Sequence, residues 1–416
     1  MVSRTVNRLT HPSSTALRAA LTPHARRLLD AAIDAATESR AALWAVGGPI
    51  RDTALARPIH DIDLVVNEEV TAISATVASR LDAELTLEPR FGTASVNLEG
   101  DRLDLATLRI ERYHAPGALP EVTLGATIEQ DLARRDFTVN AIARALTGPR
   151  AGELLDPYDG LADLAASRFA VLDDQAFEDD ATRLWRSARL AAQRNLRPDR
   201  HTLDLIEDST RWLTSISGNR LWNELELIAE RGRTVRTFIL LDEWGILRGT
   251  HPAFNFSDHS RRALLQHHHP LPSAILAATL LVPLPPDDAT AILDRLDAPN
   301  SAREAVRGAT DLMASATVTG TSPDHLELLS RTTTEARIAA SWIGDSSQIQ
   351  LQRQLHRWEQ TRPHLSASEL IRLGIPEGPE LGEWLRALRR ARYLGTLRNP
   401  NQARALINSQ PHGTRS

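Results

Sequence analysis

The sequence predicts an α+β protein: a small head with a mixed β-sheet and helices, followed by a long all-helical neck, body and tail. Three observations lead there. Short apolar strands separated by glycine-bearing breaks crowd into residues 43–107. From Thr127 nearly to the end, apolar residues recur at three- and four-residue spacing. No internal repeat or low-complexity tract interrupts either pattern, and 416 residues at ~150 per domain leave room for roughly two to four domains.

Residues 1–40 read as helical, with "ALRAALTPHARRLLDAAIDAA" carrying the amphipathic period. "LWAV" is an apolar strand ending at Gly47-Gly48, and Pro49 suits the first turn of the helix in "IRDTALA". "DIDLVV" is a second strand, and "VTAISATVASRLDAEL" is the helix after it. "TASVNLEG" and "DRLDLATLR" alternate as paired strands, with Gly100-Asp101 expected as the hairpin turn. Residues 110–126 hold Pro116, Gly117, Pro120 and Gly125 and read as a flexible loop. Beyond Thr127, breaks near 148–160, 250–256, 283–286, 318–323 and 374–379 punctuate the helices. The chain is therefore expected to divide into a head over 1–147, a neck over 148–245, a body over 246–350 and a tail over 351–416.

Composition narrows the function. Hydrophobic residues make up 42% of the chain and aromatics only 4%, so the core is mainly aliphatic. No run of ~18 apolar residues is present. The stretch "MVSRTVNRLTHPSS" lacks the apolar segment of a secretory signal, and a cytoplasmic location is expected. Cysteine is absent, which excludes disulfides, zinc–thiolate sites and thiol catalysis. The net charge of −5 argues by itself against a nucleic-acid binder. Lysine is absent too, so every basic side chain is an arginine; codon bias in a GC-rich genome is the simplest cause. Any phosphate contact must then come from guanidinium groups, backbone N–H groups or helix N-termini.

The chemistry concentrates in "LWAVGGPIRDTALARPIHDIDLVV". Asp61 and Asp63 flank Ile62 on a strand, so both carboxylates leave from one face. Two such groups repel unless a cation lies between them. Mg²⁺ suits the pair, because it takes one or two carboxylates plus substrate phosphates. The plainer alternative is a solvated edge strand. Gly47-Gly48 sits just upstream at a strand-to-helix turn, where backbone N–H groups can approach a phosphate, and Arg51 follows in the first helical turn. The Gly-Lys-Ser/Thr of a P-loop and the third glycine of a dinucleotide turn are both missing. Asp104, on the strand after the hairpin, supplies a third acid for a two-metal displacement at phosphorus. In "DLARRDFTVNAIA", a helix would set Arg135 beside Asp136, with Asn140 one turn on. Guanidinium to phosphate and carboxylate to ribose hydroxyl would suit a nucleotide; a surface charge pair is the bland reading.

Five segments then carry a resemblance. "VGGPIRD", "HDIDLVV", "FGTASV", "DLATLRIERY" and "RRDFTVNAIA" resemble, in order and spacing, the head of the class II tRNA nucleotidyltransferases, the CCA-adding enzymes of the DNA polymerase beta superfamily. "LLDPYDGLADLAASRF" is similar to the next segment of that family, and "FEDDATRLWRSARLAAQ" to its Glu-Asp-x-x-Arg motif, with Asp179 in place of the glutamate. The resemblance implies that Asp61 and Asp63 bind metal, with Asp104 as the third acid. It implies that Arg135, Asp136 and Asn140 bind the sugar and triphosphate, beside the nucleotide-phosphate cradle read above from Gly47, Gly48 and Arg51. Asp180 and Arg183 would read the incoming base. Three residues apart on a helix, they would share a face, the carboxylate accepting from an exocyclic amine and the guanidinium donating to ring acceptors. The substrates implied are CTP, ATP and the 3′ end of tRNA, with Mg²⁺ as cofactor.

Elsewhere the signals are weaker. His259 and His267–His269 suggest a metal, but three consecutive histidines on a helix point in three directions, and a helical scaffold is the better reading. The only His-Asp dipeptide is His60-Asp61, so the body lacks the phosphohydrolase motif of the family's longer members. Residues 384–404 hold six arginines and no acid; Arg386, Arg389, Arg390 and Arg392 are expected to meet RNA phosphates. The expected activity is template-independent addition of C, C and A to tRNA. The rivals are a split CC- or A-adding enzyme, a poly(A) polymerase and an inactive RNA-binding relative. "EPRFGTASV" stands where poly(A) polymerases usually carry a Gly-Arg-Arg-Phe-like stretch, and "RIERY" is retained in the loop where split and complete enzymes differ.

Overall fold

The computed structural model describes residues 9–59, 61–267, 270–315, 323–344, 356–358 and 360–409; His60, His268 and His269 lie outside them. The chain forms two compact units, one over 1–228 and 233–255, the other over 229–232 and 256–416.

The first unit is built on β1 (Leu43–Val46), β2 (Asp61–Val66), β3 (Glu84–Glu88), β4 (Thr93–Leu98), β5 (Asp101–Thr107), a separate hairpin of β6 (Arg109–Arg112) and β7 (Glu121–Leu124), then β8 (Ala143–Ala145) and β9 (Leu154–Leu155). Seven strands form one sheet in the order β3-β4-β5-β2-β1-β8-β9. Within this sheet β2 and β5 run parallel and the other neighbours are antiparallel. β2 is the central strand, so its two aspartates are not the chance acids of a solvated edge.

Strand alternation sorts β2 into two faces. Ile62, Leu64 and Val66 are buried on the face covered by α2 (Pro23–Glu38) and α4 (Val70–Leu81). Asp61, Asp63 and Val65 take the other face. There Val65 packs with Trp44, Val46, Ala143 and Ala145 and with Ile128 and Leu132 of α5 (Ile128–Ala133). Each fully buried aliphatic side chain in such a cluster contributes roughly 1.5–3 kcal/mol. The acids thus stand at the edge of a packed layer.

Several expectations are corrected. The β4–β5 turn is Glu99-Gly100, not Gly100-Asp101: Leu98 faces Asp101, and φ is 49° and 90° at the two turn residues, as a tight primed turn requires. The supposed flexible loop contains the β6–β7 hairpin. Pro116, Gly117 and Pro120 fall in the connection and Gly125 just after β7; a methyl on Gly117 would meet Ser215 O at 2.5 Å. "DLARRDFTVNAIA" is not one helix. α5 stops at Ala133 because Thr138 N–H donates to Ala170 O and Phe137 bridges Val171. Ala143–Ala145, helix-prone by composition, instead completes the sheet beside β1. The first unit also runs ten residues past the expected neck boundary. Trp185 packs against Phe254, and its Nε1 donates to Thr250 Oγ1 at 3.2 Å.

The second unit is helical among its described residues. Its Pro379–Leu394 helix joins a small core of Leu365, Leu370, Ile375, Leu388, Ala403 and Ile407. Among the described residues, no helix is long and apolar enough to cross a membrane.

Candidate active site

The site starts from the register of two parallel strands. β2 and β5 set Asp63 opposite Asp104, and β4 sets Ser95 opposite Asp104 on the other side. Asp61 and Asp63 are half-buried on the α5 side of the sheet. Asp104 accepts from Arg102 Nε at 2.8 Å and from Ser95 Oγ. A cleft of about 450 Å³ opens over them, walled by Asp63, Ser95, Asp104, Arg102, Arg135 and Arg186. Asp61, two residues before Asp63 on the same face, is not part of that wall.

β1 ends in the glycine pair. Gly47 has φ 66°, and a methyl there would lie 2.9 Å from Arg135 Nη1 and 3.2 Å from Asn140 O. A methyl on Gly48 would lie 3.6 Å from Asp63 Oδ2 and 3.7 Å from Arg51 Nη2. The turn therefore touches the acid strand on one side and the 135–140 segment on the other. At Gly47 the positive φ and the 2.9 Å approach to Arg135 call for glycine, whereas a methyl on Gly48 would sit at ordinary contact distance.

α3 (Gly48–Ala54), with Pro49 in its first turn, carries Arg51. Arg51 donates from Nε and Nη2 to the two oxygens of Asp52 at 2.9 and 3.0 Å, and from Nη1 to Asn140 Oδ1 at 2.5 Å. Asn140 Nδ2 donates to Asp136 Oδ1 at 2.9 Å. Arg186 Nη2 lies 2.9 Å from Asp136 Oδ2 as an ion pair. Burial pushes the Asp136 carboxyl up, but Arg186, the Asn140 bond and Arg183 together hold it below its ordinary value. Arg186 is pushed up, chiefly by Asp136.

Arg135 is held from behind. Its Nη2 donates to Asp131 Oδ2 at 3.0 Å, while Arg134 Nη2 takes Oδ1 at 2.8 Å. Asp131 is fully buried. Its burial favours the neutral acid, yet the two arginines win and keep it below the usual carboxylate range.

Asp180 and Arg183 do not share a helix. α7 (Ala176–Asp179) ends there, and Asp180 is extended, φ −140° and ψ 92°, before α8 (Thr182–Arg194) begins. Its side chain explains the break, because Oδ1 accepts from Thr182 N–H at 3.0 Å and from Thr182 Oγ1 at 2.6 Å. Arg220 pairs with the same oxygen at 2.7 Å. Arg183 Nη2 donates to Arg134 O at 2.9 Å, tying the start of α8 to the Arg134–Arg135 segment. Tyr113 of the β6–β7 connection donates to Glu111 Oε2 at 3.3 Å. Burial first, then Glu111, pushes its hydroxyl up to about 12 against the opposing pull of Arg183.

The tail arginines belong to the second unit and divide in two. Arg386 and Arg392 are exposed. Arg389 lies 4.3 Å over the Trp358 ring and donates to Trp358 O at 2.7 Å. Arg390 Nε is 3.9 Å from Glu327 Oε2. His267 stacks on Trp342 with ring centroids 3.6 Å apart.

Arg186 and the brace residues Asp52, Asp131 and Glu111 escaped the sequence reading. Only Arg186 left a usable signal, lying three residues beyond Arg183 on the same helix. Among the described residues, no three His, Asp or Glu side chains converge on a metal position. The donor set is a pair of carboxylates on one strand face beside a turn fit for phosphate. That matches a hard divalent cation completed by substrate oxygens.

Residues 43–169 match the family model of the poly A polymerase head domain, and residues 195–257 match that of a probable RNA- and SrmB-binding site of polymerase A. The A-adding tRNA nucleotidyltransferase of Halalkalibacterium halodurans is 30% identical over 379 residues, 88% of each chain. The CC-adding tRNA nucleotidyltransferase of Deinococcus radiodurans is 31% identical over 374 residues, again 88% of each. A solved CCA-adding enzyme in an apo form matches with a TM-score of 0.73 over 95% of this chain and 98% of that one; at 23% identity this speaks to the fold alone.

Proposed function

The chain belongs to the family of tRNA nucleotidyltransferases and poly(A) polymerases, and from that premise we propose that it builds the complete CCA end of tRNA from CTP and ATP without a template. The observation that carries the reading is the abutment of the Gly47-Gly48 turn on Asp63, with 3.6 Å from a Gly48 methyl to Oδ2. A triphosphate seated on that turn would lie beside the acid strand.

Asp61 and Asp63 would hold Mg²⁺, which when bound supplies the positive charge that activates the 3′-hydroxyl and steadies the departing pyrophosphate. The 3′-oxygen attacks the α-phosphorus; the new O–P bond forms as the bond to the β-phosphate oxygen breaks, and the hydroxyl proton leaves. Asp104 would act as the third acid after giving up its pair with Arg102. Arg135, braced by Asp131, would orient the phosphates, and Arg186 would neutralise charge on the cleft wall. Asp136 and Asn140 would take the sugar. Arg51, engaged by Asp52 and Asn140, has two N–H groups left for phosphate. Asp180 and Arg183 would read the base by hydrogen bonding, the route to high discrimination in a protein site. Arg386 and Arg392 offer exposed charge for RNA phosphates. The family match over 195–257 supports an RNA-binding neck.

A second reading is specific. The two full-length relatives at 30% and 31% identity are an A-adding and a CC-adding enzyme, which supports a split activity here as well. Primer extension separates the two. The substrates are tRNAs ending at the discriminator base, at C and at CC, each with CTP, ATP or both. Completion of all three establishes the full activity. A stop at CC, or use of the CC-ended tRNA alone, establishes the split one. Long A tails on generic RNA would move the protein to the poly(A) branch.

A further inference from the structure

The cleft reaches well past the acids. Strand register sets Asp63, Asp104, Ser95 and Thr86 in one row across β2, β5, β4 and β3. Neighbouring strands lie ~4.8 Å apart, so the row runs about 14 Å from Asp63 to the sheet edge. Alternation explains why this floor is polar. Ala94, Val96 and Leu98 are buried on the face that α4 covers, which leaves Thr93 and Ser95 half-buried on the other. Thr86 is exposed, and all three hydroxyl side chains line the cleft. Glu88 lines it too, but in the neighbouring row, opposite Thr93.

Arg102 stands over this floor with its side chain 53% exposed. Its Nε donates to Asp104 Oδ1 at 2.8 Å and its Nη2 to Ser95 Oγ at 3.0 Å. Ser95 Oγ donates to the same Asp104 oxygen. Burial opposes the guanidinium charge, but Asp104, with Asp61 and Asp63 behind it, outweighs that and pushes Arg102 up. Arg102 is thus a mobile cation resting on the acids of the site.

In-line displacement decides which substrate lies where. The attacking and leaving oxygens stand on opposite sides of the phosphorus. The Gly47-Gly48 turn follows β1 on one side of β2, while β5, β4 and β3 lie on the other. A triphosphate on that turn places its leaving group towards β1, and the attacking 3′-oxygen then arrives over β5. The floor on that side suits a sugar-phosphate chain. Hydroxyl side chains exchange hydrogen bonds with a 2′-hydroxyl or a phosphate. Among the described residues no aromatic ring lines the cleft, so the floor offers no stacking platform for a base. It can hold a strand end without reading it, as a terminus whose last base changes at each addition requires.

We infer that the β4–β3 face of the cleft seats the 3′ end of the RNA and that Arg102 is its phosphate contact, lying on Asp104 and Ser95 until the RNA arrives and then passing to the phosphate of the terminal nucleotide. The exchange releases Asp104 from the guanidinium. This rests on the transfer reaction proposed above.

The test exploits the absence of cysteine. Thr86→Cys in the full chain supplies a single thiol. Its alkylation by iodoacetamide is followed with saturating tRNA ending at CC, with the same tRNA trimmed of its single-stranded 3′ nucleotides, and with CTP alone. The intact end is expected to protect the thiol, and the trimmed tRNA and CTP are not. In Arg102→Gln, KM for tRNA is expected to rise roughly tenfold or more, with KM for CTP and ATP unchanged. The salt dependence of tRNA affinity should flatten by about 0.7 in log–log slope, the single-strand value for one phosphate. A merely structural Arg102 would not move that slope. Arg102→Lys keeps the charge without the fork and should keep the slope while recovering part of the KM. Equal alkylation with intact and trimmed tRNA overturns the seat, and so does protection by CTP alone. An unmoved tRNA KM and salt slope in Arg102→Gln overturns the phosphate contact. Failure of the underlying reading looks different: the wild-type chain itself would add no nucleotide to any tRNA.

Discussion

Gly47 and Arg135, 88 positions apart in sequence, meet so closely that one added methyl on the glycine would lie 2.9 Å from the guanidinium Nη1. The glycine also holds φ at 66° with ψ at −118°. Gly47→Ala should therefore fail twice. Backbone strain is expected to cost about 1–3 kcal/mol, and the displaced Arg135 should raise KM for nucleotide more than it lowers kcat. Thermal melts and initial rates with CTP and ATP check both; an unchanged KM would remove Arg135 from the nucleotide contacts.

The aspartates of β2 give a sharper outcome. Asp63→Asn keeps the shape but halves the charge of the pair. A metal-dependent transfer loses several kcal/mol of stabilisation without its cation, which is roughly a hundredfold or more in rate. Incorporation should fall by that much, while a gel-shift titration shows tRNA still bound. EDTA should silence the wild-type protein, and added Mg²⁺ should restore it. Full activity in EDTA would exclude the cation.

Acid stability should report Asp52. Its carboxyl is held at about 2 against an ordinary 3.8; burial opposes the charge, and Arg51 and Arg194 outweigh it. A carboxyl depressed on folding stabilises the folded state fully above its unfolded value, and that gain is lost as pH falls through the folded one. The window is therefore between about pH 4 and pH 2, and the contribution is about 2 kcal/mol. The Tm of the wild-type chain should fall more steeply across that window than that of Asp52→Asn. Parallel curves would mean that Asp52 titrates alike folded and unfolded.

Base selection should follow Asp180. A pair of directed hydrogen bonds discriminates between bases by about 1–3 kcal/mol. Asp180→Ala should admit GTP and UTP, raising their relative incorporation by roughly tenfold or more on that scale. Competition assays with all four nucleotides measure it, and an unaltered C and A preference would transfer base reading to other groups.

The tail arginines should separate by partner. Reversing the exposed Arg386 and Arg392 to glutamate should weaken tRNA binding and flatten its salt dependence by about one unit of slope per lost phosphate contact. Arg389→Ala should act on stability instead, because its guanidinium is committed to the Trp358 ring. A cation–π contact of that kind is worth about 0.5–2 kcal/mol. Equal effects of all three on tRNA affinity would return Arg389 to the RNA surface.

What was legible in the sequence depended on how far apart the cooperating residues lie. The shared face of Asp61 and Asp63 follows from strand alternation alone, and the head's strands from local apolar pattern. The helix expected through Arg135 and Asp136 failed because Thr138 and Phe137 pair with Ala170 and Val171, more than thirty residues on. The strand Ala143–Ala145 exists only because β1 offers it an edge. Asp180 was misplaced on a helix for a local reason that the sequence does contain: an aspartate two residues before a threonine N–H can bond forward and halt the helix. The Asp52–Arg194 ion pair joins residues 142 apart and left no mark that a single sequence can show.

Every cationic side chain around the candidate site is a guanidinium group, Arg51, Arg102, Arg135, Arg183 and Arg186 among them. No lysine occurs anywhere in the chain. Acetyl, succinyl and sugar adducts that form on side-chain amines have nothing to attack here, and an arginine carries its charge at any physiological pH. The attraction offered to a polyphosphate is thus insulated from the acylating chemistry that retunes lysine-bearing enzymes.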